Sequence, residues 1–146
     1  MTVLSQLPIR TTLWIDAFAT GATGLLGLLL AEPLSGWTDL PVMLLRGAGV
    51  ALIPFVTFLI LLATRDFVSR TGVKTVIGIN IAWVIGSAAL LLGNTVEPNA
   101  FGYAFVIAQG AAVALFAELQ ATALFREPGD RDRHPIAHST SSRTTS

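Results

Sequence analysis

Residues 42–64 read VMLLRGAGVALIPFVTFLILLAT and contain one charged side chain, Arg46. A helix needs about 20 mainly apolar residues to cross the roughly 30 Å hydrocarbon core of a bilayer. Three further stretches meet this requirement, at residues 11–31, 75–93 and 102–125. Because backbone groups in lipid must find their hydrogen bonds within their own segment, these spans are expected to be helices. The sequence therefore predicts an all-α membrane protein with four transmembrane helices.

The composition agrees with this class and excludes several others. Of the 146 residues, 53% are hydrophobic and 12% are charged, and the mean hydropathy is +0.69. Soluble domains carry about 25% charged residues. Nine Lys and Arg balance nine Asp and Glu, which excludes a basic nucleic-acid-binding protein. The chain has no Cys, and its only histidines, His134 and His138, follow the last span, so we expect no metal, no cofactor and the lipid bilayer as partner.

Short connections and the positions of basic residues predict the topology. Consecutive spans joined by short loops favour an up-down-up-down bundle. Pro33 and Pro41 mark a break after the first span, and Thr71–Gly72 reads as a turn before the third. The positive-inside rule places both termini in the cytoplasm, in a multi-pass protein of the cytoplasmic (inner) membrane. Residues 1–126 form the predicted transmembrane domain, and the polar, Ser/Thr-rich residues 127–146 a disordered cytoplasmic tail. The basic residues that decide this orientation are Arg10, Arg65, Arg70, Lys74, Arg126, Arg131, Arg133 and Arg143.

Three glycines lie in the first span, at Gly21, Gly24 and Gly27. Their spacing is similar to the glycine-rich turn of nucleotide-binding reductases, but that turn requires a preceding strand within a soluble α/β unit. Inside a membrane-length segment, small residues three apart allow two helix backbones to approach closely. We therefore interpret these glycines as a helix-packing surface.

Polar residues inside the spans are the candidate functional residues. A charged side chain at the centre of a membrane helix costs about 2.5–3.5 kcal/mol, so it faces the bundle interior by default. Asp16, Asn80 and Glu118 fall at similar depth near the cytoplasmic side of three different spans. Two interpretations stay open for this predicted cluster. It is either a proton or cation site whose two carboxyls share a proton, or a hydrogen-bonded contact between helices.

A second set of polar residues lies nearer the opposite side of the membrane. Arg46 lies about one turn into the second span and is expected to pair with Asp39 or Glu32, with anion binding as the alternative. Gln109 in the fourth span is expected at a neighbouring depth. Gln109 and Gln120 share one face of their helix, whereas Glu118 lies on the opposite face. Polar groups on two faces indicate a homo-oligomer contact through the fourth helix.

Three motifs carry a family resemblance: LLRGAG at 44–49, NIAWVIGSAALLL at 80–92 and AQGAAVALFAELQ at 108–120. With them the chain resembles uncharacterised small bacterial four-helix integral membrane proteins. The resemblance implies the four-helix fold and brings no specific activity with it. We expect a structural or accessory membrane bundle, and the alternative is a small proton-coupled transporter or channel that uses the acidic residues. An enzyme is less favoured, because no nucleophile accompanies the two carboxyls.

Overall fold

The computed structural model describes residues 7–126 as five α-helices, and this range contains no strand. Four of the helices are long and apolar enough to cross a membrane, which confirms the predicted all-α class and the four spans. The predicted tail at 127–146 lies outside the described residues. The helices are α1 (Ile9–Leu29), α2 (Ala31–Thr38), α3 (Val42–Thr64), α4 (Arg70–Leu92) and α5 (Ala100–Arg126).

The short helix α2 occupies the connection in which the sequence predicted only a break. Pro33 has no backbone N–H to donate to the carbonyl of Leu29, and the first helix is interrupted at Leu30. Helical bonding then resumes, because Leu34 N donates to Leu30 O at 2.9 Å. Proline is tolerated in the first turn of a helix, where its missing N–H is not needed. Pro33 therefore ends one helix and lies in the first turn of the next.

The third span begins earlier than predicted, at Arg70 instead of Thr75. Ser69 caps this helix, since its Oγ accepts a hydrogen bond from Gly72 N at 3.3 Å. Thr71 and Gly72 therefore belong to the first turn of α4, and reading them as a loop turn was wrong. The other three spans agree with the predicted boundaries to within two residues.

The helices pack as two pairs, α1 with α3 and α4 with α5, and α1 also contacts α5. In contrast, α3 and α4 touch little although they are consecutive in the chain. Arg10 Nη2 donates to Arg65 O at 2.7 Å and to Asp66 O at 3.1 Å, which places the start of α1 beside the α3–α4 loop. We call this end of the bundle the Arg65 end and the opposite end, which carries α2, the α2 end.

Glycines allow a close contact between the backbones of α1 and α3. A methyl group added at Gly27 would lie 2.8 Å from Leu45 O, and one added at Gly49 would lie 2.8 Å from Gly24 O. Both distances are too short for a real side chain. Gly21 is less crowded, because its added methyl would lie 3.7 Å from the nearest atom of Val56. The contact thus depends on the absence of side chains at Gly27 and Gly49.

Replacing Gly27 or Gly49 with alanine is expected to lower the free energy of unfolding. Alanine in a helix contributes about 0.5–1 kcal/mol over glycine, whereas overpacking a contact costs about 1–3 kcal/mol. Circular dichroism recorded during a titration with denaturing detergent measures the net change in unfolding free energy. Gly21→Ala is the matched control and should keep or raise the stability. Equal stability of Gly27→Ala and Gly21→Ala would contradict the close contact.

Candidate functional site

A fully buried carboxyl group on α1, that of Asp16, binds side chains from two other helices. Its Oδ2 accepts hydrogen bonds from Gln120 Nε2 on α5 at 2.6 Å and from Asn80 Nδ2 on α4 at 3.0 Å. Its Oδ1 accepts one from the Thr20 hydroxyl, one turn further along α1, at 2.8 Å. We call these four residues the Asp16 network. It joins α1, α4 and α5 in the half of the bundle nearer the Arg65 end.

The network satisfies the acid with neutral donors alone. Both carboxyl oxygens accept hydrogen bonds from uncharged side chains. Asn80 Nδ2 also lies 3.3 Å from Gln120 Oε1, which links the two amides to each other. Asp16, Asn80 and Gln120 are each at most 2% exposed. These hydrogen bonds therefore fix three helices relative to one another.

The structure brings together two of the three residues in the predicted cluster. Asp16 and Asn80 are in contact, but Glu118 is exposed on the outside of the bundle. Among the described residues, no side chain bonds to the Glu118 carboxyl group. The described residues of the chain therefore do not bring the carboxyls of Asp16 and Glu118 together. The same residues contain no group of three His, Cys, Asp or Glu that could hold a metal ion.

Gln120 takes the place that the sequence analysis assigned to Glu118. Two residues apart on a helix are about 200° apart in direction, so only one of this pair can face the interior. The shared face of Gln109 and Gln120 was the available signal. It was insufficient, because the sequence did not show which face of the helix meets α1.

Arg46 and Gln109, the second predicted polar set, lie apart. Arg46 Nη2 is 2.9 Å from Glu32 Oε1 on α2, and both side chains are well exposed. An exposed ion pair contributes about 0–1 kcal/mol. Gln109 lies instead in the lining of the bundle's interior cavities. The Arg46 guanidinium thus already has an acidic partner.

Two adjoining cavities separate the helix pairs. One, of about 330 Å³, lies between all four long helices and includes Asn80 in its wall. The other, of about 520 Å³, extends towards the α2 end between α3, α4 and α5. Among the described residues, no charged side chain lines either cavity, and Asp16 is not part of either wall. We call the two together the α3–α4 cleft. The walls share Ala51, Ile79, Trp83, Phe105 and Gln109.

Compared with protein-family models, with curated proteins and with solved structures, the chain finds no match. Three features of the bundle bear on its function. They are the Asp16 network, the α3–α4 cleft and the outward face of α5, which carries the exposed Glu118.

Asp16→Leu is expected to destabilise the bundle, because it leaves Gln120 Nε2 without its acceptor and removes one of the two acceptors of Asn80 Nδ2. Each unsatisfied buried group costs about 1–3 kcal/mol. The double variant Asp16→Leu/Gln120→Leu should lose less unfolding free energy than the two single variants together, since the donor then disappears with the acceptor. A double-mutant cycle of unfolding free energies in detergent measures this coupling. Glu118→Leu is the control, and additive effects of Asp16→Leu and Gln120→Leu would argue against a shared network.

Proposed function

We propose that this protein is a non-enzymatic structural or accessory bundle of the cytoplasmic membrane, whose Asp16 network holds α1, α4 and α5 in register. One observation carries the proposal: the Asp16 carboxyl is buried, both its oxygens accept hydrogen bonds from neutral side chains, and it lies outside the cleft walls. An acid that carries protons or cations faces a water-filled path or a cavity. Interhelical hydrogen bonds of this kind contribute about 0.6 kcal/mol each on average and fix helix register.

We further propose an up-down-up-down arrangement with both termini on the cytoplasmic side. Contacts between α1 and α3 run in opposite directions, since Gly21 lies near Val56 and Gly27 near Leu45. The bond from Arg10 to Arg65 O brings two basic residues to the same end of the bundle. The positive-inside rule assigns such an end to the cytoplasm.

The competing function, a proton-coupled transporter or channel, is tested by proton flux into proteoliposomes loaded with a pH-sensitive dye. A structural role predicts that the wild type and Asp16→Asn give the same flux as vesicles without protein. Glu118→Gln is the matched control, because it neutralises an acid outside the network. A wild-type flux that Asp16→Asn abolishes, in a variant that remains helical by circular dichroism, would overturn the structural role in favour of transport.

The outward face of α5 supports self-association as part of this accessory role. Glu118 lies about 12 Å from the end of α5 at 1.5 Å per residue, and thus at membrane depth, with its side chain exposed. Charged groups at such depth are rare on lipid-facing surfaces. Ala104, Ala111 and Ala114 lie on the same face and are also exposed, and small residues let helices approach closely. We propose that a second copy packs here, which covers both Glu118 side chains by one symmetric contact.

Larger side chains on this face of α5 are expected to prevent the two copies from associating. Ala111→Leu or Ala114→Leu should shift the protein from dimer to monomer, because added volume prevents close packing of the two α5 helices. Light scattering in mild detergent and subunit counting by photobleaching in bilayers measure the oligomeric state. Ala88→Leu, at an exposed α4 position, is the control. Gln109→Leu should leave the dimer intact, and a monomeric wild type would refute the contact.

A further inference from the structure

The α3–α4 cleft opens sideways, towards the place that lipid occupies in a membrane. At the Arg65 end, α3 and α4 meet where the Leu62 side chain packs against Gly72. Beyond that contact the two helices diverge, and the residues lining the opening are small and exposed. Since no larger side chain from the described residues closes the gap, a molecule dissolved in the bilayer can enter it. The small residues at the opening are Gly47, Ala51, Ala82 and Gly86.

Three polar side chains inside the cleft lack hydrogen-bond partners among residues 7–126. The Gln109 amide, the Trp83 indole N–H and the Ser87 hydroxyl make no hydrogen bond to any described residue. Asn80 is only 2% exposed, uses its Nδ2 in the Asp16 network and lines the inner cavity. Polar groups in a medium without water are unfavourable unless something satisfies them. The wall therefore presents hydrogen-bond donors and acceptors to an occupant.

The chemistry of the wall defines the class of that occupant. Because no charged side chain from the described residues lines the cleft, an ionic group would enter without compensation. The two volumes, about 330 and 520 Å³, fall in the range of ligand pockets. Gln109 lies nine residues into α5, about 13 Å along its axis. A phosphate headgroup stays at the membrane surface, whereas a hydroxyl or ester can reach this depth.

We propose that the α3–α4 cleft binds an uncharged lipid that carries a hydroxyl or carbonyl group, with Gln109 and Trp83 as its hydrogen-bonding partners. The proposal does not depend on self-association, because the cleft and the outward face of α5 lie on different sides of that helix. It also goes beyond a structural role, since a bundle needs no lateral opening to hold its helices together.

Fluorescence of Trp83 reports directly on the occupant. Trp14 and Trp37 are exposed, so Trp14→Phe and Trp37→Phe leave Trp83 as the only indole without disturbing the core. The protein is reconstituted in phosphatidylcholine vesicles that contain equal mole fractions of either dibrominated diacylglycerol or dibrominated phosphatidylcholine. We expect stronger quenching by the diacylglycerol, with half-maximal quenching at a lower mole fraction.

Two further variants of the protein that keeps only Trp83 distinguish a binding site from simple contact with lipid. Gln109→Leu should weaken diacylglycerol binding about 3- to 10-fold, as expected for a lost hydrogen bond. Gly86→Phe should block the opening and remove the difference between the two lipids. Ala88→Phe, on the same helix but outside both cavity walls, is the control and should keep the difference.

Three results would overturn the proposal. Equal quenching by both brominated lipids would mean that ordinary acyl chains fill the cleft. Preserved preference for diacylglycerol in Gln109→Leu would show that the amide plays no part in recognition. Absence of quenching by either lipid, together with a change of oligomeric state in Gly86→Phe, would assign the cleft to a helix of a second copy.

Discussion

An acidic side chain in the hydrocarbon region is the constraint on which the arrangement of helices depends. Asp16 is tolerated because Thr20, Asn80 and Gln120 turn their donors towards it, and those donors come from three helices. Lipid offers no water to replace any of them. The rotations of α1, α4 and α5 about their axes are therefore coupled at this level of the bundle. A change in one rotation leaves a buried polar group unsatisfied.

Small residues have two opposite consequences in this fold. At Gly27 and Gly49 they allow α1 and α3 to touch through their backbones. At Gly47 and Gly86 they leave open space, because no neighbouring atom lies within 4 Å of where a side chain would begin. The difference lies in the presence or absence of a facing helix. Small residues thus support both a close contact between helices and the lateral opening.

The side chains on different faces of α5 lie in three chemical environments. Gln120 points into the Asp16 network and Gln109 into the cleft, on nearly the same face. Glu118 points the opposite way, to the outside of the bundle. This division explains how a single helix contributes to internal stability, to the cleft wall and to an outward surface without conflict between them.

The sequence by itself determined the four spans, the depth of Asp16 and Asn80 within them and the angle between Glu118 and Gln120, because apolar length and the 3.6-residue period are local properties. It could not determine which face of α5 turns inward, since that rotation depends on packing against α4 and against α1, which is far away in the chain. Tertiary structure therefore decided that an amide, Gln120, is the partner of Asp16. It also decided that α3 and α4 diverge, because helix pairing is set by contacts such as that of Gly27 with Leu45.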